Sequence, residues 1–253
     1  MSETTGLGTL PAAAEKVARG APPAGKGVAG PPQARRHSIA DRIKNAPWLP
    51  WLVRGLALLP FLWVALALAS DAFQGTRYLG SEPVKESEHF TGKWALRFLL
   101  LTLAVTPAIK WTQWGWMIRY RRMFGLFAFF YAGVHLTIYF GLDIELMWDN
   151  LVEDVLDRTY ITLGMTALVL LLPLALTSTK ASIRRLGNKR WTALHRLVYV
   201  STVLGCVHFY MAVKRDVREP LVYAAIAVGL LAYRIVARRR SPPSLRRGRV
   251  VAA

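Results

Sequence analysis

The feature that most limits this chain is a series of six apolar blocks: Trp48–Ser70, Trp94–Ile109, Met123–Gly141, Tyr160–Ser178, Trp191–Val213 and Leu221–Val236. A helix needs roughly 20 mostly apolar residues to cross a bilayer. In lipid every backbone group must bond inside its own segment, so such blocks become helices. The expected fold is an all-α integral membrane protein built as a six-helix transmembrane bundle. A hydrophobic content of 53% and a mean hydropathy of +0.28 are too apolar for an ordinary soluble domain. The second block is short, and Pro60, Pro107 and Pro173 sit inside or near span ends, where membrane helices tolerate them. Nine Trp and nine Tyr supply anchors at headgroup level.

The flanks differ in composition. Residues 1–46 are rich in Ala, Gly and Pro and carry no apolar periodicity; a disordered extension is expected there. They contain no signal-peptide apolar core. Residues 47–237 form the six-span domain and 238–253 a basic tail.

The formal charge of +18 raises nucleic acid as a partner. Its distribution excludes that, because the charge lies between spans in a topological pattern. In the tails and loops, 23 Lys and Arg fall on the side of the two termini. Seven fall on the other: Arg77, Lys85, Lys93, Arg158, Lys214, Arg215 and Arg218. The positive-inside rule then places both termini in the cytoplasm. The acidic third connection, DIELMWDNLVEDVLD, faces outward and could meet a basic partner. The single cysteine, Cys206, lies mid-span and reads as a packing residue. It excludes an internal disulfide and any Cys-built zinc or iron–sulfur site.

Histidine in a lipid-spanning helix is costly and usually functional. The fifth block carries two, His195 and His208. Thirteen residues separate them, or about 20 Å along a helix and about 140° around it. One must lie near each membrane face, and each needs its own partner. His135 in the third block lies about 18 Å above Met123, and His208 about 25 Å above Trp191. Both fall in the outer half of the bilayer on parallel helices. Two axial imidazoles at matched depth suit a six-coordinate b-type haem, whose task is electron transfer. The plainer alternative is two buried histidines bonded to backbone or hydroxyls.

His195 lies near the inner face, and the third block offers Arg121, not histidine, opposite it. His195 and Arg196 could serve a flavin phosphate, a quinone headgroup or a second haem, or form a headgroup-level pair. His89 reads as a cap or loop contact and His37 has no assignable role. Arg97 either snorkels or pairs with a haem propionate. No P-loop, dinucleotide glycine fingerprint or Ser-His-Asp set is present, so another molecule must bring the electrons.

Several stretches together resemble the MsrQ (YedZ) family. They are LLPFLW (58–63), EHFTGKWALRFLL (88–100), RRMFGLFAFFYAGVHLTIY (121–139), YITLGM (160–165), LTSTKASIRRLGNKRWTALHRLVY (176–199), HFYMAVK (208–214) and EPLVYA (219–224). The resemblance covers about residues 50–236. It implies a ferric-reductase-like transmembrane domain in a bacterial inner membrane, with b-type haem and an FMN requirement. It implies electrons from the quinone pool or a cytosolic flavin reductase. The implied acceptor is the periplasmic molybdopterin subunit, MsrP, which repairs oxidised methionine in envelope proteins. The family's histidines carry over to His135, His195 and His208. Thr159 and Met211 depart from the family's commoner Pro and Trp. The competing readings are a transmembrane ferric or cupric reductase and a non-redox transporter or assembly factor.

Overall fold

The computed structural model describes residues 46–213 and 216–240. The expected N-terminal extension, apart from Ala46, lies outside them, as do Lys214, Arg215 and the tail beyond Arg240. Eight α-helices follow in order among the described residues: α1 Leu49–Gln74, α2 Pro83–Thr112, α3 Ile118–Ile138, α4 Trp148–Asp157, α5 Thr159–Leu176, α6 Lys180–Leu194, α7 Leu197–Ala212 and α8 Arg218–Arg240. A 3-10 turn, Gly115–Met117, leads into α3, and a π-helical turn, Tyr139–Asp143, extends it. Five of these segments are long and apolar enough to cross a membrane, and α7 is a shorter apolar helix. The protein is a multi-pass membrane protein, and its spans expose many large aliphatic and aromatic side chains of the kind that lipid accepts.

Helix α2 is the centre. Half of its apolar window is buried, against 11–22% for the other four long spans. Its Leu96, Phe98, Leu99 and Leu103 meet Ala128 and Tyr131 of α3, Leu174 of α5, Val198 and Cys206 of α7 and Ala227 of α8. The closest helix pairs are α2 with α3 and α5 with α7. These two pairs carry the histidines.

Three expectations about the spans are corrected. The second block is not a short helix: α2 starts at Pro83, whose missing N–H costs nothing at a helix start. It therefore takes in His89, which is a helical residue and not a cap or loop contact. The fifth block is not one helix. The chain turns at His195 and Arg196, and the apolar helix begins only at Leu197. Its 16 residues span about 24 Å, short of a full hydrocarbon core. The acidic connection is not a loop, since most of it folds as α4, with Trp148, Val152 and Leu156 along one exposed stripe and Asp149, Glu153 and Asp157 along the next.

Pro60 lies inside α1, and a neighbouring helix serves the backbone beside it. A proline inside a helix disrupts the bonds around it. The Tyr131 hydroxyl enters this gap, donating to the Ala57 carbonyl at 2.8 Å and accepting from the Phe61 N–H at 3.0 Å. It stands in for the lost rung of the helix and ties α3 to α1.

The two ends of the bundle differ in charge. Every Asp and Glu among the described residues lies in the α1–α2, α3–α5 or α7–α8 connections or beside them. The opposite end, with the α2–α3 and α5–α7 connections, has none.

Candidate functional site

Near the acidic end, His135 of α3 and His208 of α7 face each other with ring centroids 6.1 Å apart and planes at 76°. Each ring is fixed in the same way from a different helix. His135 Nδ1 lies 2.9 Å from the Glu88 carbonyl oxygen of α2. His208 Nδ1 lies 2.6 Å from the Tyr160 carbonyl oxygen of α5. A carbonyl only accepts, so each Nδ1 carries the hydrogen and donates it. The lone pair of each imidazole is then on Nε2, the tautomer a metal ligand needs.

A glycine lies one turn beyond each carbonyl. A Cβ on Gly92 would stand 3.3 Å from the His135 ring, and one on Gly164 would stand 2.8 Å from His208 Nδ1. Each ring rests on bare helix backbone; at Gly164 no Cβ would fit without a shift, and at Gly92 one would fit only tightly. The pairs Glu88/Gly92 and Tyr160/Gly164 thus build one device twice, on α2 for α3 and on α5 for α7.

The donor set decides what the pair can hold. No cluster of three or more His, Cys, Asp or Glu side chains suited to a bare ion occurs among the described residues. Two imidazoles suffice only for a metal whose other positions are already filled, as in haem. An imidazole nitrogen sits about 2 Å from a first-row metal. Two rings facing one ion from opposite sides therefore have centres about 6 Å apart, the separation found. The residues fit a bis-imidazole haem.

The other expected site residues are elsewhere. Arg97 donates through Nε to the Tyr223 hydroxyl at 2.6 Å, lies 3.9 Å from Glu219 and stacks over Trp94 at 4.8 Å. Its bonds go to α8, and Lys93 joins it on Glu219 at 3.3 Å. His195 lies at the basic end, in the turn between α6 and α7. Its Nδ1 donates to the Trp191 carbonyl at 3.0 Å, and its ring stacks on Trp191 at 3.8 Å. Its Nε2 is buried without a partner. Burial pushes this imidazole below its ordinary range, only partly offset by the Trp191 carbonyl. Arg196, its sequence neighbour, is exposed.

The sequence reading set Arg121 opposite His195, and Arg121 is within electrostatic reach of that ring. It missed the second inward-turned cation of the basic end. Arg234, counted as a tail charge, folds back from α8 to donate to Tyr199 Oη at 2.9 Å, the Leu103 carbonyl at 3.0 Å and Thr106 Oγ1 at 3.1 Å. A signal was there, because an ionisable residue inside an apolar span is a functional candidate by default.

An all-helical membrane bundle with two imidazoles whose centroids lie 6.1 Å apart, a spacing that suits haem, belongs to the class of transmembrane redox components. Residues 91–206 match the family described as ferric reductase like transmembrane component, a stretch that includes Gly92, His135, Gly164 and His195. Over 201 residues the chain is 45% identical to the protein-methionine-sulfoxide reductase heme-binding subunit MsrQ of Xanthomonas euvesicatoria, covering 76% of this chain and 92% of that protein. It is 47% identical to that of Rhodospirillum rubrum, over 76% of this chain and 86% of that one. The subunit of Brucella anthropi is 45% identical over 83% of this chain and 93% of its own length. The chain belongs to the MsrQ family.

Proposed function

We propose that this chain is the haem-binding membrane subunit of a protein-methionine-sulfoxide reductase system. It carries electrons across a bacterial inner membrane to a periplasmic molybdopterin reductase, MsrP. The acidic end faces the periplasm and the basic end, with both termini, faces the cytoplasm; the Lys and Arg distribution supports this orientation. His135 and His208 would hold a b-type haem, which would supply one-electron chemistry there. Glu88 and Tyr160 hold the tautomer through their carbonyls, and Gly92 and Gly164 give the rings room. Electrons come from the quinone pool or a cytosolic flavin reductase, with FMN as the implied intermediary, and enter near His195 and Arg196.

The observation that carries this reading is the opposed pair, with both Nε2 lone pairs left available by the carbonyl bonds. The test is the visible spectrum of the purified protein, then single-turnover mixing. Wild type shows a reducible low-spin haem that is reoxidised on adding the periplasmic reductase. His135→Ala and His208→Ala each lose the low-spin bis-imidazole spectrum. An unchanged low-spin spectrum in either variant removes the ligand assignment.

A further inference from the structure

The basic end holds two guanidinium groups that lie against one tyrosine and have no acid to pair with. Arg234 reaches Tyr199 Oη at 2.9 Å. Arg121, from α3, lies within electrostatic reach of the same Tyr199 side chain and of Arg234, so that the two positive charges repel. Neither has a carboxylate partner among the described residues, and the connections at this end contain no Asp or Glu. Three polar atoms here are buried without a partner: Arg234 Nε, His195 Nε2 and Tyr120 Oη.

Like charges held close together and partly out of water are normally paired with an acid, because an unpaired charge there is strongly disfavoured. Snorkelling to lipid phosphates suits an arginine that points outward. Arg234 does the reverse and turns inward to a hydroxyl and an α2 carbonyl. Tyrosine and carbonyl oxygens satisfy some N–H groups but neutralise neither charge. Two guanidinium forks converging from α3 and α8 are the geometry that binds a carboxylate or phosphate.

We propose that Arg121 and Arg234, joined by Tyr199, form a seat for the oxyanion of a cofactor bound at the basic end. The inference rests on the electron-carrier reading and adds residues that it does not use. Two sources share the required chemistry: the phosphate of a flavin mononucleotide and the propionate carboxylate of a porphyrin. Arg196 is exposed and belongs to neither fork.

The experiment uses the full chain in neutral detergent, as wild type, Arg121→Gln, Arg234→Gln and Arg234→Lys. Each is titrated with FMN and with riboflavin, which lacks the phosphate, by flavin fluorescence. Haem per chain and the His135–His208 low-spin spectrum are recorded alongside. A phosphate source gives wild type at least about tenfold preference for FMN over riboflavin, as expected for charge-assisted bonds. That preference collapses in both Gln variants and is partly kept in Arg234→Lys, with haem unchanged. A carboxylate source gives no flavin preference in any variant. Instead the Gln variants lose part of their haem while the His135–His208 spectrum persists. Gln variants matching wild type in both flavin preference and haem content overturn the seat. Loss of the His135–His208 spectrum from wild type itself strikes the electron-carrier reading instead, so the two failures are distinguishable.

Discussion

Gly164 lies so close beneath His208 that a Cβ added to it would stand 2.8 Å from the ring nitrogen Nδ1. No real Cβ approaches a heavy atom so closely, and the ring is pinned on that side by the Tyr160 carbonyl. At Gly92 the same addition would stand 3.3 Å from the His135 ring, which a shift of a few tenths of an ångström relieves. Gly164→Ala should therefore lose most of its low-spin haem, and Gly92→Ala should keep it with weaker retention. Haem per chain and the fraction surviving a detergent wash measure the order. A reversed order would mean that α2, not α5, sets the ring positions.

The ring planes of His135 and His208 are 76° apart. Near-perpendicular axial imidazoles leave two iron d orbitals almost equal in energy, whereas parallel ones split them. Ferric protein should accordingly give a highly anisotropic low-spin EPR signal with one large g value. An ordinary rhombic spectrum would show that the rings turn when the metal binds. That turn would break at least one of the two Nδ1 bonds.

Tyr131 is fully buried, and its hydroxyl serves both halves of a broken rung in α1. Tyr131→Phe keeps the ring packing but strands the Ala57 carbonyl and the Phe61 N–H. Each stranded group costs about 1–3 kcal/mol. The variant should melt well below wild type and keep its histidine pair. Thermal unfolding in detergent, followed by the haem band and by circular dichroism, checks this. A change within about 0.5 kcal/mol, the range of an ordinary surface substitution, would mean that water replaces the hydroxyl.

The architecture was legible because hydropathy and span length are local properties. The six blocks all hold helices, and the depth arithmetic paired His135 with His208, whose ring centroids lie 6.1 Å apart. What escaped depends on neighbours. Nothing local marks the Glu88 and Tyr160 carbonyls as acceptors for a ring 47 or 48 residues away. Gly92 and Gly164 read as ordinary helix glycines until a histidine lies over them. The break after Leu194 was hidden because Trp191–Val213 is continuously apolar but for its histidines and Arg196. The helix ends at Leu194 and the next begins at Leu197, and no composition change announces the break. Arg234 was assigned to the tail because it stands four residues before Arg238. Its bonds to α2 and α7 place it in the bundle instead.

His195 differs from the other two histidines in where its bonds go. Its Nδ1 donates within its own turn to the Trp191 carbonyl. Burial favours the neutral ring, partly offset by the Trp191 and Leu174 backbone. The unpartnered Nε2 lies near Arg121, not opposite another imidazole. His195→Ala should thus leave the His135–His208 pair and a substantial share of haem intact while slowing electron uptake from the basic end. Two reductants separate the effects. Dithionite, which bypasses the uptake site, should reduce the remaining haem fully. A flavin reductase supplied with FMN, or a quinol analogue, should reduce it several-fold more slowly than wild type. Loss of all haem in the variant would make His195 an iron ligand and require a shared or second haem site. Wild-type rates with both reductants would leave His195 as a structural residue that seats Trp191 at the membrane edge.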